Sequence, residues 1–170
     1  MRSAIVSVLF IFCFTVTLSA QESEPPMTPE RMAEIFSVLD PNTVVEPNGM
    51  TLTITNVPVT VIIDPEADRM RILVPISSAE ALDDAELLRL MQANFDTALD
   101  ARYAIANGRL WSTFIHPLSP LETEQLISGL AQAVSLAQTY GESYSSGAIM
   151  FGGGDTRGLL QELLERGQEL

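Results

Sequence analysis

A chain of 170 residues is long enough for one domain with its own core. It carries 22 acidic residues against 9 basic ones, a formal net charge of −13, and every basic residue is arginine. That balance excludes a phosphate backbone as main partner, since each phosphate contact needs a cation, and the missing lysine excludes a lysine phosphate loop and a lysine Schiff base.

Residues 1–20 read as a signal peptide. Arg2 precedes an apolar run over 4–16, Ser19 and Ala20 supply the small residues, and a polar stretch follows over 21–26. The run is short for a membrane span, which takes about 20 residues. Cleavage is expected after Ala20, with Leu18 larger than the ideal residue near the cut; the alternative is an anchor that stays attached. Cys13 is the only cysteine, and Arg2 lies in the same segment. The exported chain would have no thiol and no disulfide, and one more unit of negative charge. No cysteine follows the cut, which argues against a lipoprotein. The expected location is periplasmic or secreted.

Residues 21–27 are proline-bearing and polar, as in a flexible leader. Thr28 can cap a helix with Pro29 at its first position. Met32, Ile35, Phe36 and Leu39 then form one apolar stripe, and Asp40-Pro41 stops it.

The period changes to two over 43–76. Met50, Leu52 and Ile54 alternate with threonines after the turn dipeptide Asn48-Gly49. Val57-Pro58 is read as a break. Residues 59–63 and 70–74 are two further strands, separated by the acidic turn 64–68, and Val44-Val45 can add a short one.

Asp83 and Glu86 have capping-box spacing. Leu87, Leu88, Met91, Phe95 and Leu99 are taken as the core stripe of a second, acidic helix. Residues 101–106 and 109–115 flank Asn107-Gly108, a strong hairpin signal. Trp111, Thr113 and Ile115 share one face of the second strand, and Leu110, Ser112 and Phe114 the other. Ser119-Pro120 and Glu122 mark the start of a third helix, with Leu126, Ile127, Leu130, Val134 and Ala137 as its stripe and Gly141 near its end.

The expected fold is therefore α+β: helix, three antiparallel strands, helix, β-hairpin, helix, over residues 28–141. A Gly/Ser-rich linker over 142–154 leads to an amphipathic tail helix over 155–170. Leu159, Leu160, Leu163 and Leu164 lie on one side of it. They are the candidate partner-binding residues, by folding back on the domain or by docking on another protein.

No residue set points to catalysis, a metal or a cofactor. His116 is the only histidine, so a zinc site or a triad would lack its usual companions. Glu80, Asp83, Asp84 and Glu86 suit a helix N-terminus, which favours negative charge. The turn 64–68 lacks the alternating ligands of a calcium loop. Gly152–Gly154 before Asp155 lacks the strand and lysine of a phosphate loop.

The segments 91–95, 101–105 and 108–112, with the helix capped from Ser119, resemble the type III secretion chaperone-like fold. The closest flavour is similar to the YbjN-type putative sensory-regulator family. The likeness covers 28–141 and lies in element order and hydrophobic pattern. It implies a small acidic binder without enzymatic activity, with the second helix as a homodimer surface. A signal peptide and a glycine-linked tail depart from secretion chaperones, which act in the cytoplasm. The reading is an exported, non-enzymatic domain that binds a protein segment in the bacterial cell envelope. The alternative is a small periplasmic ligand-binding module or enzyme using carboxylates and His116. Neither nucleic acid nor stable membrane association is expected of so acidic a chain.

Overall fold

The computed structural model describes residues 24–146 and 156–167. The expected signal segment and residues 147–154 of the linker lie outside the described residues. The order is α1 (Pro29–Leu39), β1 (Val44–Glu46), β2 (Gly49–Ile54), β3 (Val57–Asp64), β4 (Arg69–Ser78), a 3₁₀ turn (Ala79–Ala81), α2 (Asp84–Asp96), β5 (Arg102–Ala106), β6 (Arg109–Pro117), α3 (Thr123–Gln138) and α4 (Thr156–Gly167). The six strands form one antiparallel sheet in the order β1-β2-β3-β4-β6-β5. The fold class is α+β, as expected, with the Val44-Val45 strand present.

Helix α1 starts as its sequence demands. The Thr28 hydroxyl accepts the Arg31 N–H at 3.2 Å, and Pro29 opens the helix. Met32, Ile35, Phe36 and Leu39 are all buried. Asp40 ends the helix in extended backbone and accepts the backbone N–H groups of Thr53 and Asn42. Those bonds, the Thr53 one foremost, hold its carboxyl below the usual carboxylate range.

The sheet turns differently from the sequence reading. Val57-Pro58 already belongs to β3, and the chain reverses at Thr55 and Asn56, both at positive φ. Positive φ at both central residues marks the turn that matches strand twist. Threonine there is uncommon, so no dipeptide signalled it. The Asn107-Gly108 turn forms as expected between Ala106 and Arg109.

Alternate residues of the sheet meet the helices. Met50, Leu52, Val59, Val61, Met70, Ile72, Val74, Leu110 and Phe114 are buried on that side. Each large side chain removed from water contributes about 1.5–3 kcal/mol before ordering costs. Helix α3 packs closest, on β4 and β6. Gly129 makes this approach possible, because a Cβ there would lie 2.6 Å from the Phe114 ring.

Helix α3 begins three residues after the expected start. Ser119 is taken by the β3–β4 turn: Asp68 accepts its N–H at 2.7 Å and its hydroxyl at 2.9 Å. The capping box then falls to Glu122 and Gln125. Half of the expected flexible leader is also fastened. Met27 is buried, and its N–H donates to the Ser119 carbonyl at 3.1 Å. Glu24 accepts the Thr123 N–H at 3.0 Å and the Thr123 hydroxyl at 2.8 Å, and it pairs with Arg31. The Thr123 bonds lower the Glu24 pKa.

Gly129→Ala tests the packing of α3. In an open helix, alanine would gain about 1 kcal/mol over glycine. Here overpacking against Phe114 should cost about 1–3 kcal/mol and lower the thermal midpoint followed by circular dichroism. An unchanged or higher midpoint would refute the close approach.

Candidate functional site

The predicted core stripe of α2 faces water instead. Leu88, Met91 and Phe95 are 61%, 67% and 91% exposed, while Leu90 and Ala93 on the adjacent side are buried. Leu99 lies beyond the helix. Asp83 caps α2 by accepting the Glu86 N–H at 2.8 Å, which accounts for the acidic cluster at its start. A shallow apolar hollow of about 290 Å³ lies beside the exposed stripe, between Leu87, Met91, Tyr103 and Ile105. Ile105 is itself half exposed. An amphipathic helix with its apolar stripe in water is the chemistry of an interface.

Three devices hold α2 in this attitude. Asn94 accepts the Tyr103 N–H at 2.7 Å and donates to the Tyr103 carbonyl at 3.1 Å. Tyr103, Tyr140 and Tyr144 form a triangle of edge-to-face rings with centroids 5.9–6.4 Å apart. The Arg89 guanidinium lies 4.7 Å from the Tyr144 ring centre, and the Tyr140 hydroxyl donates to Glu86. Burial pushes the Tyr103 hydroxyl well above its ordinary pKa, and burial with the Glu86 bond raises Tyr140. Both stay neutral donors, and Tyr103 donates to the Leu136 carbonyl at 2.8 Å.

A second feature is the edge at β1. Val44 and Val45 are 56% and 59% exposed on a three-residue strand with no strand partner on its outer side among the described residues. Between this hairpin and α1 lies a groove of about 390 Å³. Its walls include Pro29, Ala33, Val45, Met50 and Ile63. A bare strand edge beside an apolar groove is the arrangement that accepts an extended peptide.

The structure also brings His116 near carboxylates. A cleft of about 670 Å³ is lined by Asp100, Arg102, His116, Glu122, Glu124 and Gln132, among others. His116 stacks on Phe114, and its Nδ1 lies 2.8 Å from the Pro117 carbonyl. Gln132 is committed to the backbone of Asp100 and Ala101. No group of three or more potential metal ligands occurs among the described residues. Asp68 in the acidic turn is engaged with Ser119, whose bonds lower its pKa.

The tail leucines have a place in the fold. Helix α4 packs on α3 and α1. Leu163 is buried, and Leu159 and Leu164 are half-buried against the core. The Leu160 side chain and Gly152–Gly154 lie outside the described residues. Gly167 lets α4 approach Ile127, and Arg166 donates to the Leu39 carbonyl at the end of α1.

Asn94→Ala measures what ties α2 to the sheet. It strips the Tyr103 N–H and C=O of their partner, at a cost of about 1–3 kcal/mol in urea unfolding. A loss within error of zero would mean that water replaces the amide.

No family model matches the chain, and no curated protein sequence matches it. Six chains of solved structures are similar to it. A chain of the ExsC–ExsE complex is similar with a TM-score of 0.52 and 15% sequence identity, covering 66% of this chain and 92% of that one. A chain of the HopA1–SchA chaperone–effector complex has a TM-score of 0.48 and 11% identity, covering 64% and 94%. The structural similarity to the chain of the ExsC–ExsE complex makes this a secretion chaperone-like α+β fold.

Proposed function

We propose that this protein is a non-enzymatic, chaperone-like binding domain of the bacterial cell envelope, exported through residues 1–20. It assembles as a homodimer through α2 and holds an extended segment of a protein partner. The observation that carries the reading is the α2 stripe of Leu88, Met91 and Phe95, apolar and turned to water. Two copies brought together there remove that surface from solvent. The β1 edge and its groove supply a site for the segment. The similar chains come from complexes of two proteins, which supports a protein partner here. We read the hydrophobic pattern as similar to that of YbjN-type regulators. An acidic body keeps it off anionic lipid and nucleic acid. The tail stripe of Leu159, Leu160, Leu163 and Leu164 is a further partner surface whenever α4 leaves the domain.

A second reading keeps the His116 cleft as a small-ligand site, on the strength of its size and its carboxylates. It requires that His116→Ala abolish a ligand's affinity; the protein-binding reading requires that it leave partner binding intact.

Light scattering of the purified protein should give twice the chain mass. Met91→Glu with Phe95→Glu should give a monomer with unchanged circular dichroism. A wild-type monomer at about 100 μM, weaker than any micromolar dimer, would overturn the dimer. For export, Edman sequencing of protein from a periplasmic extract should begin at Gln21. Finding the chain only in the cytoplasm, with Met1 retained, would sink that part.

A further inference from the structure

The side of the sheet away from the helices has its own chemistry. Along β4 it carries Arg69, Arg71 and Leu73; along β6 it carries Arg109, Trp111, Thr113 and Ile115. Arg102 enters from β5 opposite Thr113, and Ile62 from β3 opposite Arg71. Four of the nine arginines of an acidic chain therefore lie on one face. Its strand carboxylates are Glu46 and Asp64. None of the four arginines joins an ion pair among the described residues, where the pairs use Arg31, Arg89 and Arg166. Arg71 has no hydrogen-bond partner among the described residues. Arg109 lies 5.8 Å from the Trp111 ring centre. Apolar side chains separate the charges: Ile62 and Ile115 are 44% and 54% exposed, and Leu73 and Trp111 are half-buried. No described helix covers this face.

We infer that this face docks an extended acidic polypeptide, with aspartates or glutamates interspersed among apolar residues. The inference rests on the protein-binding reading only in that the occupant is a protein; it needs neither the α2 dimer nor the β1 edge. Arg69 donates to the Asp68 carbonyl and Arg102 to the Leu99 and Ala101 carbonyls, which leaves Arg71 and Arg109 as the guanidinium groups that match carboxylates two bonds at a time. The apolar positions between them match aliphatic side chains, which a nucleic acid or a lipid headgroup does not offer. The acidic remainder of the molecule repels both of those alternatives as they approach, whereas a short acidic segment meets the local positive field.

The test is fluorescence anisotropy of the purified protein with a labelled peptide that intersperses Asp and Glu with Ile and Phe. A control peptide has lysine at every acidic position. The acidic peptide should bind, and more weakly as salt rises; the lysine peptide should not. Arg71→Glu with Arg109→Glu should weaken binding by about tenfold or more. Arg71→Gln with Arg109→Gln should lie between, and serves if charge reversal disturbs the fold. Equal binding of the lysine peptide, or indifference to both variants, overturns the inference. So does tighter binding of a labelled oligonucleotide or of phosphatidylglycerol vesicles through the same arginines. Light scattering on the same samples separates the readings. A dimer that ignores the acidic peptide sinks this inference alone, and a monomer that binds it sinks the dimer alone.

Discussion

The structure depends on the inequality of the two faces of one sheet. Strand β4 shows it best. Met70, Ile72 and Val74 are fully buried, while Arg69 and Arg71 point the other way into water. A strand alternates strictly, so one decision about which side meets the helices settles every neighbouring strand through the ladder. Helices α1 and α3 carry the apolar stripes that accept the buried side. What remains is a polar and arginine-bearing surface that the same alternation forces outward.

The helical layer is held at its ends more than along its length. Arg31 and Glu24 gather at the first turn of α3 around Thr123, and Arg166 reaches the last carbonyl of α1 from α4. Exposed ion pairs contribute little by themselves. These contacts count because they satisfy backbone groups that every helix leaves open at its termini. Both ends of the described chain thus close over the same two helices.

Much of this was legible from residue order. Thr28-Pro29 and the stripe from Met32 to Leu39 gave α1 because every signal was local. Asn107-Gly108 gave the hairpin for the same reason. Three features were not local. Ser119 is a good helix cap, but Asp68, far back in the chain, binds it first, so α3 starts later. Thr55-Asn56 turns the chain against its own preference, driven by the pairing of β2 with β3. The α2 pattern marked an amphipathic helix correctly, yet periodicity does not say which side finds a core. The Asn94 clamp and the tyrosine triangle choose, and they place Leu88, Met91 and Phe95 in water. The arginines of the outer face follow from strand alternation at Arg69, Arg71 and Arg109. Net charge, summed over the chain, conceals that local excess.

Asn94 has a consequence beyond its two hydrogen bonds. A carboxamide is a peptide group on a short leash, with one donor and one acceptor in the same plane. Set against Tyr103, it presents the outer strand β5 with what another backbone would present. A seventh strand arriving from another molecule finds those two groups engaged. Asn94 therefore occupies the β5 edge at Tyr103 while the helix remains in place, and a strand arriving there must first displace it.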